Sequence, residues 1–406
     1  MKISYLLMQW PKDSEAFVAV DIRALSLAGH ELTVKSFRKF PRGGDSSLID
    51  RKVEGIPHTG PCFWDFVFLF FRPKDFWCLM LLFFKSKPIQ LTHIVKSMVL
   101  LPRALQIAAE VRCERPDVVH SFWGHYPAMV LALLNRSSVH RPVMTTSLLA
   151  YDLEMRYAPG IRVAQTMADK VFTHAEVNRS VLLSLGIPPE RLSVIRAGVD
   201  ASWLTPVLRI KSPVVEFITV GRLIESKGYG DVVKAYAALR VQGNTNNLLR
   251  IVGSGPYEEE LKSLVVKYNI KEFVDFTGHV PHQQIRHRLR QANVFILMSC
   301  YRGERLPNVV KEAMACGCPC LVARSPGIDE LVLDGDTGYI LDPHDWKKLA
   351  QRMEELGSNP LLRDRFGEKA HDLILREYNA ETQQSRYVSV WKECQEALLV
   401  KSVNRI

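Results

Sequence analysis

Glu304 and Glu312 lie eight positions apart in the stretch YRGERLPNVVKEAMACGCPCL, residues 301–321. Leu306, Val309, Val310 and Ala313 recur at i, i+3, i+4 and i+7, which predicts a helix with one apolar face. Pro307 suits the first helical turn, where its missing N–H would be unpaired anyway. Gly317 ends the helix, and the apolar run 318–322 reads as a short buried strand. At about 1.5 Å per residue the two acids are roughly 12 Å apart along the axis. Between them lies a helix N-terminus, whose free N–H groups and positive dipole end suit an anion such as a diphosphate. One such helix can hold a sugar, a diphosphate and a ribose along its length.

Cations suited to the same anion stand upstream, in GRLIESKGYGDVVKAY. Gly221 permits a tight turn after an apolar strand, and Arg222 and Lys227 flank it where that strand feeds a helix. Arginine binds such a group bidentately, and lysine acts as a mobile point charge. Together they would steady charge building on a leaving diphosphate. Gly253, Ser254 and Gly255 form a second glycine turn after a strand. Nearer the start, His125 and Asp152 each follow a predicted strand, and Ser14 and Glu15 sit in the turn after the first one. Ser14 (or Asp13) also reads as a helix cap, so site and cap both stand for that turn.

The string GERLPNVVKEAMACG resembles the signature of the retaining family-4 glycosyltransferases, which have the two-domain GT-B fold. The resemblance implies that Glu304 contacts the donor sugar and Glu312 the nucleotide ribose, with Leu306, Pro307, Asn308 and Val309 lining that part of the site. It implies that Gly221, Arg222 and Lys227 hold the donor diphosphate. The opening PKDSEAFVAVDIRALSLAGHELTVKS is similar to exopolysaccharide- and colanic-acid-type members, and the resemblance implies an acceptor-side place for Ser14 and Glu15 and, after the strand at 143–147, for Asp152. Two positions depart from the family. Arg305 stands where it usually has glycine, and Leu149 where it usually has a histidine three positions before the aspartate. His125 is the nearest substitute in sequence and becomes the candidate catalytic imidazole beside Glu304.

The elements that must position these residues follow from pattern. Strand 3–8, helix 14–28 and strand 31–37 open a parallel, doubly wound sheet, and strands recur at 116–121, 143–147 and 168–174. A second series starts at 214–220 and continues at 248–252, 274–278 and 293–298. The expected fold class is α/β, GT-B, with two Rossmann-like domains facing across a cleft. The expected division is 1–200, a linker at 201–213, 214–380, and a last helix in 381–406 crossing back to the first domain. A chain of 406 residues suits two domains. Arg286, Arg288 and Arg290, on one predicted helix, read as solvated.

Lys and Arg number 53 against 43 Asp and Glu, a net charge of +10, which suits anionic lipid, phosphorylated substrates or nucleic acid. No nucleic-acid signature is present, so nucleic acid is not an expected partner. Eight cysteines without a framework fit reduced thiols in the cytoplasm. Cys316, Cys318 and Cys320 lack metal-ligand spacing, and no metal or other cofactor is expected. Residues 61–88 carry two dense apolar blocks, 66–71 and 76–84, too short to span a bilayer. With Arg72, Lys74, Lys85 and Lys87 fringing them, they read as a segment lying on an anionic membrane surface. Trp64, Phe68, Trp77 and Phe83 would then enter the headgroup layer. The competing reading is a helical insertion packed on the first domain.

The sequence thus points to a retaining hexosyltransferase using a UDP- or GDP-sugar without a metal. Its acceptor would be a saccharide or lipid-linked saccharide at the inner face of the cytoplasmic membrane. The rival is a non-catalytic sugar-nucleotide-binding or scaffolding protein of the same fold, which Leu149 and Arg305 keep open.

Overall fold

The computed structural model describes residues 1–10, 16–38, 58–59, 73–86, 90–135, 141–204, 214–241, 243, 246–301 and 303–403. The chain forms two compact units, Met1–Ala197 with Glu381–Ile406, and Gly198–Ala380.

The first unit runs β1 (Lys2–Gln9), α1 (Ala16–Leu27), β2 (Glu31–Arg38), β3 (His58–Thr59), α2 (Pro73–Lys85), α3 (Leu91–Glu114), β4 (Val118–Ser121) and α4 (Ala128–Leu134). It continues through β5 (Val143–Ser147), α5 (Ala150–Met155), α6 (Ala158–Thr166), β6 (Lys170–Thr173), α7 (Asn178–Ser184) and β7 (Leu192–Val194). The strands are parallel in the order β3-β2-β1-β4-β5-β6-β7. Every residue of β4 and β5 is buried, as expected of strands covered by helices on both faces. Strand order reverses between β1 and β4, the point where open α/β sheets receive ligands.

The second unit repeats the plan with β8 (Val215–Val220), α8 (Tyr229–Val241), β9 (Asn247–Val252), α9 (Glu258–Lys267), β10 (Val274–Gly278) and α10 (His282–Gln291). Then come β11 (Val294–Leu297), α11 (Asn308–Ala315), β12 (Cys320–Ala323), β13 (Gly338–Leu341), α12 (Trp346–Ser358) and α13 (Pro360–Glu377). The parallel order β10-β9-β8-β11-β12-β13 is the dinucleotide-binding order, with its reversal between β8 and β11. A last helix, α14 (Ala380–Val403), returns to the first unit. Tyr387, Trp391 and Cys394 enter that unit's core beside Tyr5, Phe122 and Phe172.

Two expectations change on contact with the structure. The stretch 201–213 begins with a short 3-10 helix, Ala201–Leu204, whose Trp203 and Leu204 are buried in the second unit. Indole burial there outweighs the absence of a period; residues 205–213 lie outside the described ones. Within 61–88, residues 61–72 and 87–88, including Trp64, Phe68, Arg72 and Lys87, lie outside too. The block 76–84 is helical, and Leu79, Leu82 and Phe83 pack into the first unit's core against α3 and α4. Phe83 is only 5% exposed, so it does not face a headgroup layer. Helical periodicity sends it inward while Trp77, Leu81 and Phe84 stay exposed.

Candidate functional site

In the second unit, two glycine turns at the strand ends interlock. Gly221 N–H donates to the Val252 carbonyl at 3.0 Å, and Leu223 N–H donates to the Ser254 carbonyl at 3.0 Å. Gly253 has φ +139°, and a Cβ there would stand 1.9 Å from the Gly221 carbonyl oxygen. Only glycine admits that approach. Residues 225–227 form a 3-10 turn closed by Gly228 at φ +73°. A Cβ on Gly228 would meet the Met298 carbonyl at 2.1 Å, so the turn after β8 lies hard against the end of β11. The Cys300 N–H fixes it further by donating to the Ser226 carbonyl at 2.9 Å.

That clamp joins two residues 77 positions apart. Lys227 Nζ donates to Glu304 Oε1 at 2.5 Å, both side chains mostly buried. Glu304 Oε2 is buried without a partner, and so is the Tyr229 hydroxyl. The Tyr229 pKa is pushed up, first by burial and then by the Glu304 charge. A buried carboxylate oxygen without a partner costs about 1–3 kcal/mol, a cost recovered when a hydroxyl donor arrives. Arg222 is exposed and makes no ion pair among the described residues, so its guanidinium is available to a ligand.

Glu312 lies on α11 and is held in the same manner. His282 Nε2 lies 2.8 Å from its Oε1, and the Trp203 ring packs 5.2 Å from the imidazole. Burial works against a charged His282. The Glu312 hydrogen bond and charge, with Asp200 adding, nevertheless raise its pKa above the usual imidazole value. Pro307 caps α11, Val310, Ala313 and Met314 are buried in the core, Leu306 and Val309 pack half-buried against the same cluster, and Asn308 is half-buried. Arg305 is half-buried beside Glu304. Arg286, Arg288 and Arg290 are half-buried rather than solvated, and burial, then Arg290, lowers the Arg286 pKa. Helix α10 packs on α11, which draws this basic face under cover.

The first unit brings together the two residues that sequence placed in separate loops. His125 Nδ1 lies 3.0 Å from Asp152 Oδ1, and Asp152 Oδ2 accepts the Leu149 N–H at 3.0 Å. Both side chains are buried. Leu149 has turned into the core, and its backbone N–H holds the aspartate that meets His125. Trp123 and Tyr151 rings pack 5.6 and 5.9 Å from His125. Ser14 and Glu15 lie outside the described residues.

Sequence reasoning missed His282, Asp200, Trp203 and Tyr229. His282 had one available signal: it opens the helix after β10, at the same sheet end as Gly221 and Gly253. Among the described residues, no group of three or more His, Cys, Asp or Glu side chains is arranged to hold a metal ion. Cys316, Cys318 and Cys320 are buried in the apolar core, and burial pushes the Cys316 thiol up to about 12.

Residues 205–373 match the family described as glycosyl transferases group 1. Over 377 residues the chain is 29% identical to WcaL of Salmonella typhimurium, named as a colanic acid biosynthesis glycosyltransferase, covering 87% of this chain and 90% of that one. The fold matches sucrose-phosphate synthase of Thermosynechococcus elongatus with a TM-score of 0.73 at 17% identity, over 98% of this chain and 100% of the other. It also matches Anabaena Alr3699/HepE, solved in complex with UDP, with a TM-score of 0.70 at 17% identity, over 97% and 100% of the chains. The two parallel-sheet units are those of the GT-B fold.

Proposed function

We propose that this chain, a glycosyltransferase whose second unit carries the group 1 domain, is a retaining hexosyltransferase working in cell-surface polysaccharide synthesis. Its donor is a UDP- or GDP-hexose and its acceptor a saccharide or lipid-linked saccharide. The observation that carries this reading is the disposition of the two acids. Glu304 and Glu312 each have Oε1 tied to a basic side chain, Lys227 and His282. Each therefore keeps its second oxygen for a hydroxyl donor. Glu304 then holds a sugar hydroxyl and Glu312 the ribose. Arg222 and Lys227 neutralise the departing diphosphate, so no metal is needed for that charge. The His125–Asp152 pair serves the acceptor side, Asp152 fixing which imidazole nitrogen faces outward. The name of WcaL supports an exopolysaccharide role, and the UDP complex of HepE supports a nucleotide-sugar donor.

The two acids are expected to fail differently. Glu312→Ala should raise KM for the donor and leave kcat near wild type, since ribose contacts are alike in ground and transition states. Glu304→Ala should lower kcat, because the sugar it holds changes shape as the bond breaks. Steady-state kinetics with UDP- and GDP-hexoses measure both, and identical defects would remove the division of roles. Donor binding by the wild type with no transfer to any saccharide would favour the non-catalytic reading, to which Arg305 and Leu149 point.

Membrane attachment belongs to the same reading. Trp77, Leu81 and Phe84 form an exposed stripe on α2, and Leu91, Val95 and Val99 another on α3. Lys74, Lys85 and Lys96 are exposed around them. Asp75, the sole acid between positions 73 and 101, is buried and paired with Arg112 at 3.0 Å. No helix of the described residues is long and apolar enough to cross a membrane. Each basic residue near an anionic leaflet contributes about 1 kcal/mol. Binding to anionic vesicles should therefore weaken as salt shortens the screening length. Trp77→Ser with Leu81→Ser and Phe84→Ser should release the protein with nucleotide binding intact, whereas Phe83→Ser should destabilise it. Unchanged vesicle binding by the triple variant would discard this face.

A further inference from the structure

We infer that His282 is the positioning residue for the donor's ribose, fixing the Glu312 carboxylate so that its free oxygen meets the sugar diol. This rests on the assignment of Glu312 to the ribose and goes beyond it, since nothing in the signature around Glu304 and Glu312 involves a residue thirty positions upstream. The Glu312 side chain leaves the middle of α11 with several rotatable bonds, and a free carboxylate would lose that freedom on binding. His282 removes it beforehand. Its Nε2 lies 2.8 Å from Oε1. The ring is itself held, because Trp203, 6% exposed and part of the core, packs 5.2 Å away. Asp200 adds negative charge near the imidazole. These groups come from three separate places in the second unit: the segment before β8, the start of α10 and the middle of α11.

The chemistry of the pair follows. An ionised carboxylate only accepts hydrogen bonds. With Oε1 taken by His282 Nε2–H, Oε2 is directed toward the hydroxyls of an incoming ribose. Binding to a group already held in place avoids ordering costs at the moment of association, and a supporting residue of this kind decides how far a binding carboxylate discriminates.

The experiment compares nucleotide binding by calorimetry for UDP, GDP and their 2′-deoxy counterparts. For whichever base binds, the wild type should favour the ribose form by roughly tenfold, the scale of one hydrogen bond to a charged group. Glu312→Ala should erase that preference. His282→Leu keeps comparable bulk without a donor and should lose most of the preference while binding the 2′-deoxy nucleotide as the wild type does. His282→Gln keeps an N–H donor and should retain much of it. Equal preference in the leucine and glutamine variants, with Glu312→Ala still lacking it, overturns the role of His282 and leaves the ribose assignment standing. A wild type without any preference, or a Glu312→Ala variant that keeps it, overturns the ribose assignment together with this inference. Loss of binding to the 2′-deoxy form in both histidine variants shows a merely structural residue and overturns the inference as well.

Discussion

Lys227→Ala is expected to lower kcat/KM for the sugar donor by roughly 30- to 1000-fold, the equivalent of about 2–4 kcal/mol for one preorganised charge-stabilising group. Two losses combine in that variant. The leaving diphosphate loses a cation, and Glu304, whose Oε2 already lacks a partner among the described residues, loses the Lys227 partner of Oε1. Arg222→Ala should give a defect on the same scale with a simpler cause, because its exposed side chain makes no ion pair among the described residues. Its thermal stability without ligand should match the wild type, while Lys227→Ala should melt at a different temperature. Rates at the wild-type level in both variants would remove the diphosphate role from this turn.

Trp391→Ala is expected to destabilise the first unit by about 3–5 kcal/mol, the range for emptying a large buried aromatic site. Trp391 has 0% exposure. Its indole N–H donates to Thr145 Oγ1 at 3.2 Å, and its ring lies 5.6 Å from Tyr387 and 5.9 Å from His120. His120 shares that enclosure, and burial lowers its pKa to about 3. The site is therefore a closed aromatic box in which the buried Thr145 and Ser147 hydroxyls lie 2.9 and 3.3 Å from the His120 ring nitrogens. Denaturant unfolding should show the first unit's transition at lower midpoint, while calorimetry at low denaturant shows unaltered nucleotide affinity, since Gly198–Ala380 form a unit without Trp391. An unchanged midpoint would mean that α14 is dispensable to that core.

Strands were legible where a short, largely apolar stretch ends in a turn, as residues 217–220 do before Gly221, and even the half-buried edge strand β10 ends on Gly278. Residues 3–8 lie within β1, and 274–278 coincide with β10. The interlocked turns were half legible: glycines at 221, 253 and 255 announced tight backbone, but their mutual contact is a property of strand order. Partners were the least legible part. Nothing local links Lys227 to Glu304, or His282 to Glu312, because adjacency there arises from the reversal between β8 and β11 and from α10 lying on α11. Phe83 shows another limit. The block 76–84 is apolar on nearly all sides, so composition alone did not say which residues face in.

The first unit is discontinuous, with Glu381–Ile406 separated from Met1–Ala197 by the whole of the second. On the ribosome this sets an order of assembly. At ~5–20 residues per second, the roughly 200 residues after Ala197 take about 10–40 s to appear. During that interval the groove that later takes Tyr387 and Trp391 is uncovered, whereas the second unit, contiguous in sequence, has all it needs before α14 is made. The half of the protein that starts first is thus the half completed last, after every residue of the second unit has been synthesised.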